Sequence, residues 1–187
     1  MGHPIDFDSL ESSLFVLQQI VLASESYCSQ EMIGSELDLG DGNFDAYWGW
    51  IKGIVTERLI DCAIKTRIFQ DFLAESRYGL KSDLIKIDAQ ARKNLIIGVV
   101  HEGSYELTLR ETCNKIIHAK KSVPSWLEKP IGDMKIKYWD GCFHLHGSKE
   151  SKVWHLELNV GNWARAMSRY YEELSDPEIR NEIGQDW

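Results

Sequence analysis

A chain of 187 residues has the length of one domain with a full core, and 43% hydrophobic against 27% charged residues excludes a disordered composition. The net charge of −8 excludes a protein that coats nucleic acid non-specifically with its whole surface. No run approaches the roughly 18 apolar residues that span a bilayer, and Met1 to Asp8 carries no basic n-region; the expectation is a cytoplasmic protein without a membrane partner.

Apolar residues from Ser9 to Met32 recur at helical spacing through Leu10, Leu14, Leu17 and Ile20, which predicts a first helix capped by Ser9 and ended by Gly34. Gly34 to Asn43 reads as a loop, with Asn43 or Asp45 as the next cap. Phe44 to Ser76 contains no Pro and keeps helical spacing through Trp48, Ile51, Val55, Leu59, Cys62 and Phe69, so it predicts one long helix softened near Gly49 and Gly53. Ser82 to about Asn94 is a further helix candidate. Leu95 to Val100 is a short apolar run that fits a strand, a loop or the end of that helix. Thr108-Leu-Arg-Glu111 matches a capping box and predicts a helix over 109–121 that stops before Pro124.

The period then changes. Ile136, Tyr138, Phe143 and Leu145, followed by Trp154, Leu156 and Leu158, alternate on either side of a turn-like Gly147 to Ser151, which predicts a β-hairpin over 135–159. A C-terminal helix over 160–175 opens at Asn159 or Asn162, and Ser-Asp-Pro-Glu after it suggests a short extra helix. The expected fold is mainly α: a single domain over 1–187, built as a four- to five-helix bundle with a helical core over 1–123 and the β-hairpin appended before the C-terminal helix.

Charge is unevenly laid down. No Lys or Arg precedes Lys52, whereas Arg110 to Lys137 holds seven Lys or Arg against Glu111, Glu128 and Asp133. That local basic zone can track phosphates, or simply attract the acidic N-terminal region. Cys28, Cys62, Cys113 and Cys142 form no C-x-x-C pair, so free buried thiols are expected.

Arg110, Asn114 and His118 stand at steps of four on the helix over 109–121 and share a stripe. A guanidinium, an amide and an imidazole on one stripe suit a phosphate held while a proton moves. The plainer alternative is that Glu111 is a cap, Asn114 bonds a neighbouring loop, and His118 with Lys120 and Lys121 complements the helix C-terminal dipole.

Asn114-Lys-Ile-Ile-His118, followed by Ala-Lys-Lys, resembles the motif of the HEPN superfamily, helical RNA-associated domains that include metal-independent ribonucleases. Cys113 stands where the motif Arg would be; Arg110, one turn earlier, is the candidate substitute within this chain, although its separation from His118 lies outside the usual R-x4-6-H spacing. The resemblance implies a homodimer whose motif helices meet at a cleft and act on RNA without metal or other cofactor. It further implies that His118 is the general base or acid, that Asn114 orients the phosphate, and that Arg110 or Lys115 stabilises charge, with Lys120 and Lys121 as further phosphate contacts.

A second constellation lies on the hairpin. Cys142, His144 and His146 alternate onto one strand face, and His155 and Glu157 face the same way on the partner strand. Such a face accommodates zinc or nickel, or is simply solvated. Trp48, Trp50, Trp126, Trp139, Trp154 and Trp163 are candidates for the core or for base stacking. The competing function class is a non-enzymatic protein interaction module that uses the acidic N-terminal region or the hairpin.

Overall fold

The computed structural model describes residues 7–35, 43–75 and 81–174. The first helix, α1, runs Phe7–Gln30 and buries Leu10, Leu14, Leu17, Ser24 and Cys28 along one face. Ser9 lies inside this helix rather than capping it. After it, Met32 and Gly34 adopt φ of 53° and 70°, and Ile33 N donates to Cys28 O at 3.0 Å, which turns the chain out of the helix.

The described part of the predicted long helix is helical throughout, as α2 (Asn43–Trp50), a π turn over Ile51–Val55, and α3 (Thr56–Glu75). The π turn falls on Gly53, where helix preference is weakest. Helix α4 covers Lys81–Ala91. The ambiguous apolar run leads into a strand, β1, Gly98–Glu102. Helix α5 is Leu109–Ile117, a turn shorter than the predicted 109–121.

The expectation of a mainly α bundle with one appended hairpin is overturned. The chain continues as β2 (Lys121–Ile131), β3 (Met134–Lys149) and β4 (Lys152–Asn159), and closes with α6 (Val160–Leu174). The hairpin β3–β4 is the centre of a four-stranded antiparallel sheet in the order β1-β4-β3-β2, so the architecture is mixed α/β. Two features hid the sheet. Strand β2 contains Pro124, which reads as a helix stop, and Pro130, but an edge strand tolerates a missing N–H. Strand β1 has only five residues, too few to show a period.

Turn chemistry fixes the register. Glu150 and Ser151, at φ of 49° and 67°, make a two-residue connection between the paired Lys149 and Lys152. Gly141, at φ +87°, marks the bend of β3, where Asp140 Oδ1 accepts from Cys142 N at 2.8 Å. Helix α1 lies against this bend, and Ser24 Oγ there accepts from Trp139 N at 3.1 Å.

One hydrophobic cluster joins both layers. The inner sheet face supplies Phe143, Leu145, Trp154, Leu156 and Leu158, and α1, α5 and α6 supply Leu14, Leu17, Leu109, Cys113, Trp163 and Met167. Of the two candidates, Asn159 is the cap of α6, accepting from Asn162 N at 2.9 Å. Trp139, Trp154 and Trp163 belong to this core and Trp126 packs against it, whereas Trp48 and Trp50 are exposed. The predicted helix after Leu174 and most of the loop over 36–42 lie outside the described residues.

Among the described residues no helix is long and apolar enough to cross a membrane. Cys28, Cys62 and Cys113 are buried free thiols, and Cys142 is half-buried and free.

Candidate functional site

Helix α5 begins where Thr108 Oγ1 accepts from Glu111 N at 3.0 Å. The return half of the predicted capping box is not made. Thr108 N donates to Glu106 O, and the Glu111 carboxylate turns down its own helix to accept from Asn114 Nδ2 at 3.0 Å and to pair with Lys115 Nζ at 3.2 Å. A carboxylate from α4 takes over part of the capping: Asp88 Oδ2 accepts from Leu109 N at 2.7 Å. The other oxygen of Asp88 binds Arg92.

The Arg110, Asn114 and His118 stripe does not converge on one point. Arg110 reaches across to α3 and pairs with Asp71 at 2.5 Å, a carboxylate already engaged by Arg67. Asn114 is held by Glu111. His118 is the exposed C-terminal cap residue, its N–H donating to Asn114 O at 3.0 Å.

Arg110 does not fill the place that Cys113 leaves without a guanidinium. Cys113 is fully enclosed, and burial pushes its thiol well above its ordinary range. Arg110 instead borders a cavity of 520 Å³ between α3, α4 and α6, whose ionic groups are paired: Arg92 with Asp88, Arg110 with Asp71.

The predicted phosphate contacts divide in the same way. Lys115 is buried, paired with Glu111 and stacked over the rings of Tyr105 at 4.0 Å and Trp154 at 4.6 Å, so it faces the interior and not a ligand. Lys120 and Lys121 are exposed, but not on a helix: α5 has ended, and they form the entry to β2. Lys120 N donates to His146 O at 2.8 Å, Lys120 Nζ to Ser148 Oγ at 2.6 Å, and Lys121 stands opposite His146 in the β2–β3 register.

That register leads onto the outer face of the sheet. Strand alternation places His144 and His146 of β3 on this face, and pairing sets His146 opposite His155 and His144 opposite Glu157 of β4. Strand β1 then brings in His101, beside the irregularity that pairs Glu102 with His155. His155 is the hub, with ring centroids 4.6 Å from His101, 5.2 Å from His144 and 4.1 Å from His146. His144 Nδ1 and His155 Nε2 are 3.0 Å apart, and His101 Nε2 is 2.8 Å from Glu157 Oε2.

Burial first, and then the charges of His146, His101 and His144, hold the His155 imidazole below its ordinary 6.5. The sheet thus brings together four of the five residues singled out on the hairpin, His144, His146, His155 and Glu157. Cys142 stays apart from the imidazoles, its backbone tied to Asp140, and burial with the nearby Asp140 carboxylate pushes its thiol up to about 12. His101 was missed. Its only local signal was an imidazole at the end of an apolar run too short to assign.

The chain matches no protein-family model, and no curated protein or solved structure is significantly similar to it.

Proposed function

We propose that the chain is a HEPN-like, RNA-associated cytoplasmic protein that binds RNA phosphates without cutting them, at the junction of α5 and β2. The observation that carries this reading is the exposure of His118, Lys120 and Lys121 side by side, where the sheet's outer face begins at His146. Lysines that neutralise phosphates release counterions, so affinity depends steeply on salt. Binding is favoured over metal-independent cleavage because a phosphoryl mechanism needs the guanidinium and the imidazole at one phosphate. Arg110 is committed to Asp71 and Asn114 to Glu111.

The test is fluorescence anisotropy with a labelled single-stranded RNA across a salt series. Lys120→Glu with Lys121→Glu is expected to weaken binding and to flatten the slope of log K against log salt by about 1.4, at about 0.7 per lost phosphate contact. An unchanged slope in the double variant, or no binding by the wild type at low salt, removes the reading.

The protein interaction module keeps one specific support, on a different surface from the one expected. Ile60, Ile64 and Ile68 of α3 are 39%, 42% and 56% exposed and stand four residues apart in one stripe. Its occupant in this reading is a second copy of the chain, the homodimer that the HEPN resemblance implies. Light scattering is expected to give a dimer that Ile64→Glu converts to a monomer, and a monomeric wild type discards it.

A further inference from the structure

The outer sheet face carries a feature that RNA binding neither needs nor explains. Three imidazoles, those of His101, His144 and His146, are gathered around His155, the four coming from three strands, and Glu157 is in contact with His101. A solvated sheet face does not need its histidines drawn together, because crowded imidazoles oppose one another's protonation. Neutral imidazole is the form that ligates metals.

We propose that His101, His144 and His155 form a binding site for one divalent transition metal ion of zinc type. One ring nitrogen from each of the three lies within 4.8 Å of the other two. Around a tetrahedral ion with metal–nitrogen bonds of about 2.0–2.1 Å, the ligand nitrogens stand about 3.3 Å apart. The 3.0 Å edge between His144 Nδ1 and His155 Nε2 is close to that already. Small ring rotations of His101 bring in the third nitrogen, and its side chain, 42% exposed, has the freedom for them.

Neutral imidazoles select zinc, nickel, cobalt or copper over magnesium and calcium, which take oxygen ligands. Glu157 lies against His101 and orients that ring, as carboxylates behind metal-bound imidazoles do. Three protein ligands leave a coordination position open to water or to an anion. His146 stacks on His155 but is not among the three ligands, so it is a neighbour of the site and not part of it.

The site is independent of the RNA reading: its ligands are not the residues varied in that test, and either result leaves the other standing. The experiment is titration of the purified full chain with Zn²⁺ against a chromophoric chelator, repeated with Co²⁺ to read tetrahedral geometry from its visible absorption. One ion per chain is expected. His144→Ala, His155→Ala and His101→Ala should each weaken zinc by more than the roughly 10- to 100-fold that losing an orienting carboxylate costs, and Glu157→Gln should fall within that range.

His146→Ala should retain zinc within a few fold, and so should His118→Ala. Because all three ligands lie on the partly solvated face, circular dichroism is expected to show every variant folded. Should one fail to fold, His144→Asn replaces it. No stoichiometric uptake by the wild type overturns the site, and so does equal affinity in His155→Ala. An equal loss in all four histidine variants overturns the assignment of the three ligands.

Discussion

Gly98→Ala is expected to destabilise the protein by about 1–3 kcal/mol and, with it, to weaken zinc binding at a site that Gly98 does not touch. A Cβ at Gly98 would sit 2.5 Å from the Glu157 carbonyl oxygen and 3.2 Å from Leu156 Cδ1. The first obstacle is backbone and cannot swing aside, so β1 must move away from β4. Gly98 pairs with Leu158 at the start of β1, and the same strand carries His101 to the imidazole cluster. Urea unfolding and a zinc titration on the same sample separate the two effects. Unchanged stability would show that β1 is not held at this close approach, and lost stability with unchanged zinc affinity would show that His101 keeps its place without it.

Trp163→Ala should have the largest effect on stability, about 3–5 kcal/mol. The ring is fully buried on α6, and its Nε1 donates to Thr112 Oγ1 of α5 at 3.0 Å, so one side chain both fills the core and joins two helices. Set against a typical total of about 5–15 kcal/mol, such a loss leaves the chain marginal or unfolded. Trp163→Phe keeps most of the packing and gives up the hydrogen bond, for a cost of about 1 kcal/mol. Urea midpoints with a constant m-value provide the comparison. A cost below about 1 kcal/mol for alanine would mean that α6 contributes little to the core, against the cavity argument.

The acid limb of stability has a defined sign. The folded-state His155 lies below its ordinary 6.5, so the unfolded chain takes up the proton first. The contribution of this residue is therefore intact above that value and is lost as pH falls from it through the folded-state pKa. Zinc uptake is expected to weaken as pH falls, since protons compete with the ion for the ligand nitrogens.

Much of the candidate site was legible because strand alternation is local. Once a hairpin over 135–159 is recognised, His144, His146, His155 and Glu157 must share a face. The stripe of Arg110, Asn114 and His118 was read from an equally regular period, yet periodicity gives only the direction in which a side chain leaves its helix. Arg110 found Asp71, 39 residues earlier, and Asn114 found Glu111 on its own helix, and these partners determine what remains available to a ligand.

The sequence by itself determined most of the helical runs, the Thr108 cap, a last helix opening at Asn159 or Asn162, the central hairpin, and which hairpin residues lie on one face, because propensity, capping and alternation act within a few residues. Tertiary structure alone decided that the hairpin is the middle of a four-stranded sheet, that Lys115 lies beneath aromatic rings, and that His101 joins His144 and His155. Those outcomes depend on which strand edges pair and which surfaces bury one another. The His101 and Glu157 contact spans 56 residues of chain, far beyond the reach of any local pattern.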